Sequence, residues 1–184
     1  MFLRHHRRLP YRLMQLVITS VLMLFAANQP LPADNPPALS KYSLSQEYKE
    51  LKTKQQEKQC LTAALFHEAR GEGLVGIKAV ASVIENRKHS SGYPSTYCKI
   101  IKQHKQFSFV LEGKPLHNLE QQVKPSEKEV FALVSSLAEQ MLQGRFKPVL
   151  PARVLHYTTH AVRNQWTQKM QVVAKVGNHR FYVQ

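Results

Sequence analysis

The chain has 184 residues, 43% of them hydrophobic, which is enough for one packed domain and too few for two of ordinary size. Lys and Arg outnumber Asp and Glu by 26 to 12, for a formal net charge of +14, so the partner to look for is acidic: nucleic acid, anionic lipid or a bacterial wall polymer, unless the charge only keeps a solvated face soluble. The two cysteines, Cys60 and Cys98, are much too far apart for CxxC redox or metal chemistry.

The chain opens with the basic MFLRHHRRLPYR and the apolar run LMQLVITSVLMLFAA, Leu13 to Ala27. This is the layout of a secretory signal, and the run is shorter than the roughly 20 apolar residues of a membrane span. Residues 1–27 are therefore read as a signal peptide, cleaved after Ala27 or Ala33, or as an uncleaved N-terminal anchor. Either engages the membrane or the export machinery. Export predicts a periplasmic or envelope-associated protein, makes nucleic acid the weakest partner, and turns Cys60 and Cys98 into candidates for a disulfide, the alternative being two unrelated buried thiols.

Residues 28–57 read as an extended linker, QPLPADNPPALS (29–40), and a polar helical stretch (41–57) with four Lys and three Glu. Residues 58–184 form the expected catalytic domain, where Lys and Arg minus Glu gives 18 − 8 = +10. Leu61, Ala64, Leu65 and Glu68 fall at i, i+3, i+4 and i+7, one face of a helix ending near Gly71. A second helix is predicted over Leu74–Lys88 with Val80, Ala81 and Ile84 inward, then a turn at SGYP and a short helix capped by Ser95. QFSFV has strand composition. Ser126 and Glu129 form a capping box ahead of a helix with Val130, Leu133, Val134, Leu137 and Met141 on one face. Three strand-like segments close the chain, VLHYTT, MQVVAKV and HRFYVQ, with Gly177–Asn178 as a turn. Helices first and a small antiparallel sheet toward the C-terminus predict an α+β domain.

The stretch LFHEARGEG (65–73) concentrates the chemistry. A zinc-protease helix needs a second His four residues after the first, and that position holds Gly71. His156 and His160 share an i, i+4 spacing but fall in a predicted strand, which argues against shared metal ligation. No metal and no cofactor is expected. Glu68 remains, a carboxylate on an apolar stripe just before the helix breaks. Partial burial there raises its pKa, as a general acid near neutral pH requires; the alternative is an ordinary ion pair with Arg70 or a later Arg.

EARGEG, GIKAVASVIENR, YPSTYCKII, QFSF, HY, a lone Trp and VGNHRFYV occur in that order. The set resembles the SleB/CwlJ family of cell wall hydrolases over about residues 58–184. The resemblance implies a lysozyme-like fold, Glu68 as catalytic acid, and cleavage of peptidoglycan between N-acetylmuramic acid and N-acetylglucosamine by a lytic transglycosylase or a muramidase. It also implies that Gln106, Phe107, Ser108, His156, Tyr157 and Trp166 border the glycan groove, with His179 and Tyr182 bracing the sheet. Of Phe107 and Phe109, which alternate, one is expected in the core.

The only aspartate, Asp34, lies in the linker, so a second carboxylate of the kind most hydrolysing glycosidases use must be a Glu. Glu72 is the nearest candidate, with a structural helix-end role as its alternative; Glu85, Glu112 and Glu120 are less constrained. One carboxylate suffices when the muramic acid 6-hydroxyl is the nucleophile, which favours transglycosylation. A muramidase, a non-catalytic wall-binding module and a metal-dependent amidase are the alternatives. Peptidoglycan and the anionic wall surface are the expected partners.

Overall fold

The computed structural model describes residues 41–104, 106–162 and 165–183, so the predicted signal and linker lie outside the described residues. Two compact units are distinguished, Met1–Ser45 and Gln46–Gln184, and of the first only residues 41–45 are described. Among the described residues no helix is long and apolar enough to cross a membrane.

The elements are α1 (Lys41–Ala69), α2 (Gly73–Lys88), α3 (Tyr97–Ile101), α4 (Ser108–Leu111), two 3-10 turns (Leu119–Gln122 and Pro125–Glu127), α5 (Lys128–Leu142), β1 (His156–Thr159), α6 (Gln165–Lys169), β2 (Gln171–Val176) and β3 (His179–Val183). The expected order of helices, then a small sheet, holds. The polar stretch and the helix bearing Glu68 are one continuous element, α1. Its polar half is exposed, whereas Cys60 to Phe66 are buried on every side. The apolar stripe read from spacing is thus too narrow: Thr62, Ala63 and Phe66 face neighbours as well. In α2, nearly every residue from Gly76 to Arg87 is buried. The domain is organised around these two helices, which explains why neither shows a clean polar face.

Four local expectations are corrected. QFSFV forms no strand: Phe107 is extended and Ser108 opens the single turn of α4. The capping box at Ser126 does not form, because Pro125–Glu127 make a 3-10 turn and Glu127 takes the cap position without a side-chain bond. On α5, Val134, Leu137 and Met141 are buried as expected, while Leu133 is exposed. Nor does Ser95 cap α3. The N–H groups of Tyr97 and Cys98 donate instead to Glu57 Oε2 of α1, at 2.7 and 3.3 Å. The Cys60–Cys98 disulfide, Cα–Cα 5.3 Å, ties the same two helices.

The sheet order is β1-β3-β2, both pairings antiparallel. Tyr157 stands opposite Phe181 and His156 opposite Tyr182, so the two residues of the HY pair lie on different faces. β2 and β3 are joined at Gly177, whose φ of +53° suits glycine.

Candidate active site

Glu68 sits in the last turn of α1, where the helix leaves the core, and is half-buried. β1 brings Tyr157 against it, and the Tyr157 hydroxyl donates to Glu68 Oε2 at 3.1 Å. Tyr157 is itself wedged by His179 and Phe181, at 5.2 and 5.9 Å between ring centroids, which fixes the hydroxyl. Burial raises the Glu68 pKa above the usual carboxylate range; the Tyr157 hydrogen bond opposes this, Glu112 adds to it, and Lys114 and Arg87 oppose it. The net shift is upward, toward the protonated form. Burial, together with the nearby Glu68 charge, likewise holds the Tyr157 phenol well above its ordinary pKa, so it stays a donor.

Glu72 is only four residues away, and its environment is the reverse. Its carboxylate accepts the Asn178 backbone N–H at 2.6 Å and the Asn178 side-chain amide at 3.0 Å, pinning the β2–β3 turn to the start of α2. Burial favours the neutral form, but these bonds and the nearby His179 and His160 outweigh it and lower the pKa. Two glycines make room for this clamp: a Cβ at Gly177 would collide with Glu72 Oε2, and one at Gly76 with Glu72 Cβ. Glu72 thus has the surroundings of a structural carboxylate, the alternative weighed for it from the sequence.

The residues expected along the groove do not form one surface. Tyr157 joins Glu68. His156 is on the opposite face of β1 with Trp166 and Tyr182; the Trp166 ring lies 5.9 Å from His156 and 5.7 Å from Tyr182. Phe107 and Phe109 are both 1% exposed, so both belong to the core, and Phe107 offers no platform for a sugar ring. Gln106 and Ser108 are exposed beside them. His67 packs under the site with its ring stacked on Phe109 at 4.8 Å; burial, Lys114 and Arg70 lower its pKa and keep it neutral. His179 is buried and braces Tyr157, while Tyr182 bonds Thr158 at 3.1 Å.

Sequence reasoning missed Arg87 and Lys114 and offered Glu112 only as a less constrained carboxylate, and all three act electrostatically on Glu68. Glu112 and Lys114 form an ion pair at 2.6 Å. Neither Glu68 nor Tyr157 lines the cavity of about 300 Å³ between α1 and α5, which is lined by Gln59, Thr62, Leu119 and Phe131 among others. Chemistry, rather than enclosure, singles out Glu68.

The sequence model of the cell wall hydrolase family matches residues 71–182, more than half of the chain. The chain belongs to the cell wall hydrolase family. The matched span begins three residues after Glu68, so the family match itself says nothing of that residue. Two spore cortex-lytic enzymes of Bacillus cereus are each 25% identical over 127 residues, covering 69% of this chain and 44% of theirs. The chain thus spans less than half the length of these curated relatives. Among solved structures, the catalytic domain of the germination-specific lytic transglycosylase SleB from Bacillus anthracis superimposes with a TM-score of 0.53 at 24% identity, covering 70% of this chain and 94% of that one. The catalytic domain of Bacillus cereus SleB gives 0.50 at 23%, covering 70% and 90%. The fold is that of the SleB catalytic domains, in line with the lysozyme-like α+β domain expected.

Proposed function

We propose that this chain degrades peptidoglycan by cleaving the glycan strand between N-acetylmuramic acid and N-acetylglucosamine, as a lytic transglycosylase with Glu68 as its one acid. The observation that carries this is the half-buried Glu68 carboxyl, its pKa raised by burial and its orientation set by the Tyr157 hydroxyl at 3.1 Å. The carboxylic acid gives its proton to the glycosidic oxygen as the C1–O bond breaks. The muramic acid 6-hydroxyl then bonds to C1 and its proton returns to Glu68, leaving a 1,6-anhydro end and the acid regenerated. No water and no second carboxylate enter, which suits a domain without Asp whose nearest Glu in sequence, Glu72, is committed to Asn178.

Glu112 gives a muramidase its footing as the second reading, because its charge reaches Glu68 and it could activate a water from across the groove. An exported location is part of the proposal. The Cys60–Cys98 bond supports it, since such bonds persist in oxidising compartments.

Product analysis on purified peptidoglycan tests the reading. Anhydromuramic ends are expected. Reducing ends would install the muramidase, free stem peptides an amidase, and binding without products a wall-binding module. Glu68→Gln should lower the rate by at least about 10² to 10⁴, the usual worth of general acid catalysis, while the fold and wall binding persist. Digestion by that variant at the parent rate would remove Glu68 from the chemistry.

A further inference from the structure

The end of α2 carries Glu85, Asn86 and Arg87, which are 8%, 6% and 3% exposed. Consecutive residues point about 100° apart around a helix, so three buried in a row mean that the helix end is enclosed through more than half a turn. Glu85 accepts from the Tyr97 hydroxyl at 2.8 Å and pairs with His89 at 2.9 Å. Asn86 donates to the carbonyls of Pro151 and Val154 at 2.8 and 3.1 Å. Both side chains hold the loop and helix around them.

Arg87 is bonded differently. Its Nε–H donates to the Leu155 carbonyl at 2.8 Å, and its guanidinium lies 5.3 Å from the Tyr93 ring and 5.7 Å from that of Phe107. Its Nη1, although buried, has no hydrogen-bond partner among the described residues. An arginine cannot shed its charge, so a buried guanidinium with an idle donor is costly unless its field is used. The titratable groups in reach are Tyr157, Tyr93, which also hydrogen-bonds the guanidinium, Glu68 and His156.

The charged and titratable groups around Glu68 come from three elements: Tyr157 on β1, Arg87 on α2, and Glu112 with Lys114 after α4. Glu112 and Lys114 are paired to each other, and their side chains are 54% and 46% exposed. Solvent and salt screen such a pair. Arg87 alone among these is a buried, fixed cation. The carbonyl it grips, Leu155, is two residues before Tyr157, so the same side chain also sets the strand that delivers the tyrosine hydroxyl.

We propose that Arg87 is the positioning residue of this site: its buried guanidinium anchors β1 through Leu155 and supplies the permanent positive charge against which the Glu68 carboxyl releases and retakes its proton. This rests on Glu68 serving as both acid and base. Without the cation, the ionised intermediate stage of Glu68 would sit in a half-buried site with only the Tyr157 hydrogen bond and the solvent-screened Lys114 to support it.

The test uses the full chain with Arg87→Gln, which keeps a donor for the Leu155 carbonyl and loses the charge, and Arg87→Lys, which keeps the charge and loses the fork. Glu68 is read directly by carbon NMR titration of its carboxyl, assigned by comparison with Glu68→Gln, so that titration of His156 cannot be mistaken for it. Arg87→Gln should raise the Glu68 midpoint by about one pH unit, a tenfold change in its ionisation ratio, and move the alkaline limb of kcat upward with it. The kcat should fall about tenfold with KM within about threefold, and lysine should restore both the midpoint and most of kcat. An unmoved midpoint in an Arg87→Gln protein that melts like the parent overturns the proposal, as does equal damage from Lys and Gln. If the Gln variant does not fold, the parent decides: a midpoint that shifts by less than about 0.3 unit between 10 mM and 500 mM salt is expected of a buried cation, and a larger shift assigns the pull to Lys114 and overturns it. A midpoint that responds to Arg87 in a protein that cuts no glycan sinks the functional reading and leaves the electrostatic one standing.

Discussion

Reduction of the Cys60–Cys98 bond should loosen the helix that carries Glu68. The two cysteines are separated by 38 residues in sequence. In the chain-entropy treatment, closing a loop of that length restricts the unfolded chain by about 13 cal/mol/K, or about 4 kcal/mol at 25 °C. A unit the size of Gln46–Gln184 loses roughly 3 to 5 °C of Tm per kcal/mol, so Tm should drop by roughly 12 to 20 °C on reduction. Glu57, which caps α3 from the same helix, keeps the two elements in contact but cannot replace the covalent tie. Activity should fall as well, because Cys60 lies eight residues before Glu68 on one helix and a displacement of about 1 Å at a reacting group can cost about 10²-fold. The assay is calorimetry and wall digestion with and without reductant, alongside the Cys60→Ala, Cys98→Ala double variant, after a thiol count on the denatured protein. Two titratable thiols in protein recovered from an oxidising compartment, or a double variant melting within about 3 °C of the parent, would refute the reasoning.

Tyr157→Phe removes the donor that favours the Glu68 carboxylate, so the Glu68 pKa should climb further; since the acid works protonated, the alkaline limb of kcat should move to higher pH, and a limb moving down would contradict the assigned bond. Glu72→Ala should lower stability by about 1 kcal/mol after solvent screening and leave activity per folded molecule within about threefold; a loss of 100-fold or more would restore Glu72 as the second acid. Because the folded pKa of Glu72 is depressed, its contribution is present above the unfolded carboxylate pKa and disappears as pH falls through the folded value, so parent and variant should converge in acid. Wall binding by the basic domain should weaken steeply as salt shortens the Debye length from about 30 Å at 0.01 M to about 8 Å at 0.15 M, and salt-independent binding would deny charge a targeting role.

Local patterns were legible wherever neighbours in sequence decide the outcome. The 3.6-residue spacing gave α2 and α5, alternation with a Gly177–Asn178 turn gave β2 and β3, and the run of glycines after Glu68 marked the end of α1. QFSFV misled because its residue types suit a strand as well as a buried turn, and burial on all sides, invisible to composition, put both Phe107 and Phe109 in the core.

What the sequence by itself determined is the supply of groups and their rough setting: two carboxylates around a helix end, a domain without Asp, two distant cysteines and a basic balance. Only the tertiary structure decided what each carboxylate is. Glu68 and Glu72 are four residues apart in sequence, on either side of the break between α1 and α2, yet the first meets Tyr157 across 89 residues of chain and the second meets Asn178 across 106. A proton's affinity for a carboxylate is set by desolvation and by the donors and charges within a few ångströms, and those arrive from β1, from the β2–β3 turn and from Arg87 on the second helix. Sequence spacing carries no record of such encounters, so one glutamate had its pKa raised by burial and its neighbour had its own lowered by hydrogen bonds only when the chain folded.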